Sequence, residues 1–230
     1  MSTAQGARAR ARQEVTAAIK EAARGQLAAE GAAKLSLRAV ARELGMVSSA
    51  VYRYFPSRDD LLTALIIDAY DALGEAAEQA LGAASAAPPL ERWTAVCEAV
   101  RDWGLAHPHE YALIYGSPVP GYSAPDTTVR AAARVGMVLI GIVREAHEDS
   151  GLAVPPLPAG LRPEGERMAA DFAPGLPPEA AAALVAAWAQ LFGLVGFEVF
   201  GQFTRVVEDR APFFRHAAAR LAHGVGLSRP

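Results

Sequence analysis

The sequence predicts an all-α protein of 230 residues, and three observations carry that expectation. Apolar residues make up 52% of the chain but aromatics only 7%, because alanine, the strongest intrinsic helix former, supplies so much of the apolar content. Apolar positions recur at three- and four-residue spacing in one segment after another, and the alternating β-branched runs that mark half-buried strands are few. Gly31, Gly45, Pro56, Pro108 and Gly151 fall between those periodic segments, where helices are expected to stop.

Residues 1–12 are small, polar and basic, with Arg8, Arg10 and Arg12 on alternate positions, and read as a flexible basic arm. The first helix is expected from Gln13 to Glu30, with Val15, Ile19, Ala22, Ala23 and Leu27 inward and Gly31 ending it. Leu37, Val40, Ala41 and Leu44 then repeat at i, i+3, i+4 and i+7, which places them on one face of a second helix. Ser36 precedes that stripe as its N-cap, and Gly45 follows it as a C′ residue free to take positive φ. A short third helix fits Ser48 to Phe55; Pro56 cannot extend it, and Ser57 with Asp60 forms a capping-box-like start for the next.

Helix, glycine-containing turn, helix is the helix-turn-helix arrangement, whose second helix can enter a DNA major groove. Ser48, Ser49 and Ala50 sit at the N-terminal end of that second helix, while Tyr52, Arg53 and Tyr54 offer hydroxyl and guanidinium donors. Val51 and Phe55, four apart, are left to hold the helix on its neighbours. With Ser36 and Arg38 on the preceding helix and Arg58 opening the following one, these form the candidate DNA-contacting set. In this setting the arginines of residues 1–12 are either a plain tail or an arm that touches phosphate or minor groove. Charge supports the reading: residues 1–60 hold 10 Lys/Arg against 6 Asp/Glu, whereas residues 61–230 hold 12 against 19. A basic head on an acidic body is hidden in the overall net charge of −3.

The body continues the helical pattern. A long helix runs from Leu61 to Leu81, starting in the head and ending in the body, and Gly82 to Pro89 breaks it. Leu90 to Ala106 carries Trp93, Val96, Cys97, Val100 and Trp103 at helical spacing, and His107-Pro108 ends it. A short helix follows from His109 to Tyr115, then a turn-rich loop from Gly116 to Gly121. Asp126 reads as the N-cap of a helix from Thr127 to about Glu148. Pro155 to Pro178 holds seven prolines in 24 residues and no apolar period, and reads as a long loop. Two helices close the chain, Ala180 to Thr204 and Pro212 to His223, for about nine in all: three in the head and six in the body.

The run from Gly45 through Arg58, GMVSSAVYRYFPSR, with Leu61-Leu62 behind it, resembles the signature of TetR-family transcriptional regulators. The resemblance covers roughly residues 12–65. That family usually has Ser or Thr where Val47 stands, so either Ser48 caps the recognition helix or its start lacks a side-chain cap. The segment Trp103 to Tyr111 with the following Gly116 loop, and Trp188 to Gly193, resemble the WHG-type C-terminal domain of TetR-like proteins, with Phe192 where His is common. The resemblance implies an N-terminal helix-turn-helix DNA-binding domain at 13–57 and a six-helix C-terminal bundle at 58–230 for ligand binding and dimerisation. It further implies a homodimer on a pseudo-palindromic double-stranded operator, with recognition helices about 34–36 Å apart, and a small-molecule effector that tunes a repressor. The last two long helices would pair with their copies, Ala189, Gly193 and Gly196 permitting close approach.

Other chemistries find little support. Cys97 is the only cysteine, so neither an intrachain disulfide nor a Cys-x-x-Cys metal pair can form. His107, His109 and Glu110 cluster at a helix end that cannot present two imidazoles on one face, and His216 and His223 lack a third ligand, so no metal and no cofactor are expected. No phosphate-binding glycine loop and no Gly-x-Ser-x-Gly elbow occurs, so the chain does not read as an enzyme. The start of the chain has arginines but no apolar run of a signal peptide, which makes the cytoplasm the expected compartment. Ala180 to Phe197 runs uncharged for 18 residues, yet its alanine content and the polar residues after it favour a buried interface helix over a membrane span. Trp93, Trp103, Tyr111, Tyr115, Trp188 and Phe192 are the candidate lining of a cavity for an apolar or aromatic ligand. The alternative is a helical small-molecule carrier or enzyme whose helix-turn-helix is incidental; such a protein would retard no DNA.

Overall fold

The computed structural model describes residues 2–227, with side chains from Gly6 onward. Among these residues there are eleven α-helices, three short 3₁₀ turns and no strand, so the all-α expectation holds. Two compact units form. One comprises Met1–Tyr70 with Pro108–Val129; the other comprises Asp71–His107 with Arg130–Pro230.

In the first unit, α1 spans Ser2–Glu30, α2 Leu37–Glu43, α3 Ser48–Val51, α6 Pro108–Tyr115, and the opening turns of α4 (Arg58–Ala83) complete the core. α1 begins well before the expected Gln13. Alanine, glutamine and arginine in residues 4–12 are all strong helix formers, and a helix already paid for downstream extends cheaply. The core is the one the spacing implied: Ile19, Ala22, Ala23 and Leu27 meet Leu37, Val40, Ala41, Val51, Phe55, Leu61, Leu62 and Leu65. Leu113 and Ile114 of α6 and Val119 and Tyr122 of the loop after it pack against this cluster. Tyr122 reaches Thr63 of α4, hydroxyl to hydroxyl at 2.8 Å. Ser57 caps α4 as expected, its Oγ accepting from the Asp60 N–H at 3.0 Å while donating to the Asp60 carboxylate.

The second unit is built from the remainder of α4, α5 (Pro89–Ala106), α8 (Arg134–Ser150), α9 (Arg162–Phe172), α10 (Pro178–Val199) and α11 (Arg210–Gly224). α10 packs on α5, α9 and α11, and α5 also packs on α8. Trp93, Val96, Cys97 and Val100 of α5, Leu139, Ile142 and Val143 of α8, Leu191 and Val195 of α10, and Phe214 of α11 are buried. Cys97 is fully enclosed, and burial pushes its thiol well above the usual range. Gly74 lets the start of α8 come close: a Cβ there would lie 2.6 Å from the Cβ of Arg134. Arg134 straddles that glycine, bonding Asp71 at 2.9 Å on one side and Glu78 at 2.7 Å on the other.

Three expectations are corrected here. Asp126 does not cap one long helix. It opens a 3₁₀ turn, Asp126–Thr128, whose N-cap is Pro125, and the helical stretch is broken at Ala133 between the four-residue α7 (Val129–Ala132) and α8. The proline-rich segment is not all loop, because α9 lies inside it with Pro163 in its first turn, a position that loses no hydrogen bond. Its apolar face is short, Gly165, Met168, Ala169 and Phe172, with only Gly165 fully buried, and Arg167 pairs with Glu164 and Asp171 on its outer side. α10 ends at Val199, short of Thr204, and the chain continues in turns through Gly201, which takes φ 78°.

α10 is the one described helix long and apolar enough to cross a membrane. Its last turn carries Glu198, which is buried and held by Arg101 of α5 through two bonds, from Nε at 2.7 Å and from Nη2 at 2.6 Å. Arg101 also lies over the ring of Phe214, 5.5 Å from its centre.

Candidate nucleic-acid interface

The turn between α2 and α3 is set by two residues the sequence marks. Ser36 caps α2, its hydroxyl accepting from the Ala39 N–H at 3.5 Å, and its own N–H donates to the Gln26 side chain at 3.2 Å. At the other end Gly45 takes φ 64°; its N–H bonds the Arg42 carbonyl at 3.2 Å and the Met46 N–H bonds that of Ala41 at 2.8 Å. That crossed pair is a Schellman stop, which only a residue free of a Cβ adopts without strain. The chain then turns into α3 at Val47, which is the N-cap and supplies no side-chain bond. Of the two openings the Val47 departure allowed, the start without a side-chain cap is the one observed.

α3 is a single α-helical turn, and tighter turns carry it on to Phe55, whose N–H still bonds Val51 at 3.0 Å. Val51 and Phe55 are buried as the i, i+4 spacing required. Ser49, Tyr52 and Arg53 are exposed, Ser48 is half-buried, and Arg38 projects from the first turn of α2. Among the described residues neither Arg38 nor Arg53 has an ion-pair partner, whereas Lys20 and Arg24 of α1 are neutralised by Asp68 at 2.8 and 3.0 Å. Arg38 and Arg53 are therefore outward cations of the helix-turn-helix, whereas the flank of α1 facing α4 is neutralised.

Besides the capping Ser36, three members of the candidate set occupy other roles. Ala50 is buried beside Val51 and belongs to the packing side of α3. Tyr54, four residues on and on the same flank, is half-buried against the core, and the guanidinium of Arg12 lies over its ring at 5.1 Å. Arg58 turns back to the 3₁₀ turn Ala32–Lys34, where its Nη2 donates to the carbonyl oxygens of Ala32 at 2.9 Å and Ala33 at 3.3 Å. Arg58→Ala is accordingly expected to lower the stability of the protein by about 1–3 kcal/mol, the range for hydrogen bonds to a charged group. Urea titration measures it; unchanged stability with weakened DNA binding would instead make Arg58 a DNA contact alone. No local pattern announces the Arg12–Tyr54 or Arg58–Ala32 contacts, because both join residues far apart in the chain.

The six candidate ligand-lining aromatics divide between the units. Tyr111 is buried and Tyr115 half-buried in the first, with rings 5.2 Å apart, and Tyr70 meets Tyr115 edge-on at 5.9 Å. Burial raises the hydroxyls of Tyr70 and Tyr115 above their ordinary range, so both stay protonated. In the second unit Trp93 is fully buried and its indole N–H has no partner among the described residues. Trp103 stacks on His107 at 5.0 Å, and that imidazole sits 3.0 Å from the Trp103 carbonyl, as a helix-end histidine does. Phe192 is buried, but Trp188, edge-on to it at 5.7 Å, is 42% exposed because it lies on the outward side of α10.

Comparison with known proteins decides the family. Residues 19–65 match the model of bacterial regulatory proteins of the tetR family, and residues 93–221 match that of the tetracyclin repressor-like C-terminal domain. The HTH-type transcriptional regulators Rv1816 of Mycobacterium tuberculosis and Mb1846 of Mycobacterium bovis are each 41% identical over 203 residues, 86% of this chain and 86% of theirs. The chain belongs to the TetR family of transcriptional regulators. Among solved structures, the regulatory protein SCO4313 is similar to this TetR-family chain at 34% identity and a TM-score of 0.78, covering 93% of this chain and 98% of its own. A protein from Rhodococcus sp. RHA1, at 24% identity and a TM-score of 0.70, covers 92% of this chain and 95% of its own and shares the fold. As a TetR-family regulator the protein is a helix-turn-helix DNA-binding protein, and α2 and α3 form its helix-turn-helix.

Proposed function

We propose that this TetR-family regulator is a cytoplasmic homodimeric repressor that grips a pseudo-palindromic operator and is released by an apolar or aromatic small molecule. The observation that carries the DNA half is the outward set Ser49, Tyr52, Arg53 and Arg38, presented by the basic residues 1–60, with neither arginine in an ion pair among the described residues. Dimerisation is supported by the aromatic surface of the second unit: Trp188, Phe197 and Phe213 are 42%, 54% and 39% exposed on α10 and α11. Two such faces brought together by a two-fold axis would bury each other. The effector is supported by the aromatic stock of the body, above all Trp93, whose enclosed N–H suits a ligand bearing a hydrogen-bond acceptor. That ligand acts by binding the DNA-free arrangement more tightly; equal affinity for both arrangements would shift nothing.

The test is a gel-shift titration of the purified protein on DNA flanking its own gene, against a mixed-sequence duplex. A repressor of this kind retards the first at lower concentration; equal retardation, or none, overturns the reading. On a retained fragment, Ser49→Ala and Arg38→Ala are expected to relax the sequence preference by about 1–3 kcal/mol per lost base contact. Tyr52→Phe should instead weaken both duplexes alike and lower the salt dependence, as loss of a phosphate contact does.

A further inference from the structure

α1 overhangs the unit it braces, and the overhang keeps a helical register with the packed part. Val15 and Ile19 turn toward the core of the unit, Ile19 completely buried. Arg8 and Arg12 precede them by seven residues each, two helical turns, and so share their side of the helix. The side of α1 that is apolar over the core thus becomes basic where the core ends. Arg10, by the same register, leads to the exposed Ala17 and points away.

Arg12 shows where that basic side is aimed. Its guanidinium lies over the ring of Tyr54, at the end of the segment that presents Ser49, Tyr52 and Arg53 outward. Arg8 stands one turn further out, about 6 Å along the axis. Both arginines are exposed, and among the described residues neither has a carboxylate partner. The stacked geometry leaves the guanidinium edge of Arg12 free to donate, while Tyr54 limits the conformations it must give up on binding.

We infer that the overhang of α1 is a second DNA-contacting element, in which Arg8 and Arg12 grip the phosphate backbone flanking the groove that α3 enters. The inference rests on the DNA-binding reading above and extends the footprint beyond the helix-turn-helix. Phosphate is the partner that fits: two unpaired guanidinium groups in line beside a recognition helix match a charged strand.

The experiment compares the full-length protein with its R8A/R12A, R8K/R12K and R10A variants by fluorescence anisotropy, on a labelled mixed-sequence duplex spanning about four helical turns, as salt is raised from low to physiological. R8A/R12A is expected to bind roughly tenfold or more weakly at low salt, with a log–log slope flatter by about 1.8 per protomer, since each phosphate contact contributes about 0.9. R8K/R12K should keep most of the slope and R10A nearly all of it. Because these side chains are exposed, thermal unfolding should shift little, at most by the loss of the Arg12–Tyr54 stacking contact. A wild-type slope in R8A/R12A, or an equal loss in R10A, overturns the inference by reducing it to diffuse charge. Failure of the wild-type protein to bind any duplex would instead sink the DNA-binding reading itself.

Discussion

Phe197→Asp is expected to turn the protein into a monomer and to cut its affinity for a two-fold operator by about 10²–10⁴, the usual gain from joining two binding modules. Phe197 lies on the outward side of α10, more than half exposed in the single chain, and its ring meets Phe203 at 5.7 Å, which in turn meets Phe213 of α11 at 5.6 Å. A row of three aromatic rings running from one helix to the next is an expensive surface to leave in water. If copies of α10 and α11 cover one another there, a carboxylate at position 197 must be desolvated without a partner, at a cost of several kcal/mol for each copy. Helix content should be untouched, because the substitution faces outward. Sedimentation velocity reads the assembly state, and anisotropy on the operator fragment reads the affinity. A dimer of unaltered strength would place the association surface elsewhere on the chain.

Arg101→Met is expected to destabilise the second unit by about 3–5 kcal/mol, the cost of stranding one member of a buried ion pair. Glu198 would lose both of its guanidinium bonds while remaining buried, a carboxylate with no other bonded cation among the described residues. Loss of the arginine would also remove its packing over Phe214. The double variant Arg101→Met with Glu198→Leu is expected to recover most of that stability, since replacing both charges by apolar groups of similar volume leaves nothing stranded. Urea denaturation at one fixed protein concentration separates the cases, because self-association, where it occurs, adds to apparent stability. Equal destabilisation of single and double variants would show that shape, and not charge compensation, sets the value of this pair.

The parts of this protein that were legible in its sequence are those whose signals are local. Ser36, Gly45 and Ser57 each act on backbone groups within a few residues, and each does what its position implied. The same holds for Val51 and Phe55, where burial follows directly from helical spacing. Elements whose apolar face is short or absent were missed. α9 has an apolar face of only four residues, Gly165, Met168, Ala169 and Phe172, set inside a proline-rich segment that reads as loop. The first turns of α1 are helical because their residues favour it, although they bury no core that would mark them. Contacts that reassign a side chain are harder still. Arg58 is spent on Ala32 and Ala33, and Arg101 finds Glu198 across 97 residues, distances in sequence at which no motif speaks. In the candidate interface the outward face of α3 was readable, whereas the inward turn of Ala50 and the coupling of Tyr54 to Arg12 depend on where α1 runs.

The enclosure of Cys97 has a practical corollary. Thiol reagents attack the thiolate, and a sulfhydryl that is both walled off and hard to deprotonate is nearly inert to them. A cysteine introduced on the surface, at Ala9→Cys on the overhang or Arg53→Cys on the recognition turn, would then be the one position that takes a maleimide or nitroxide. Spectroscopic labels can be placed on the natural background, with no need to remove the native thiol first.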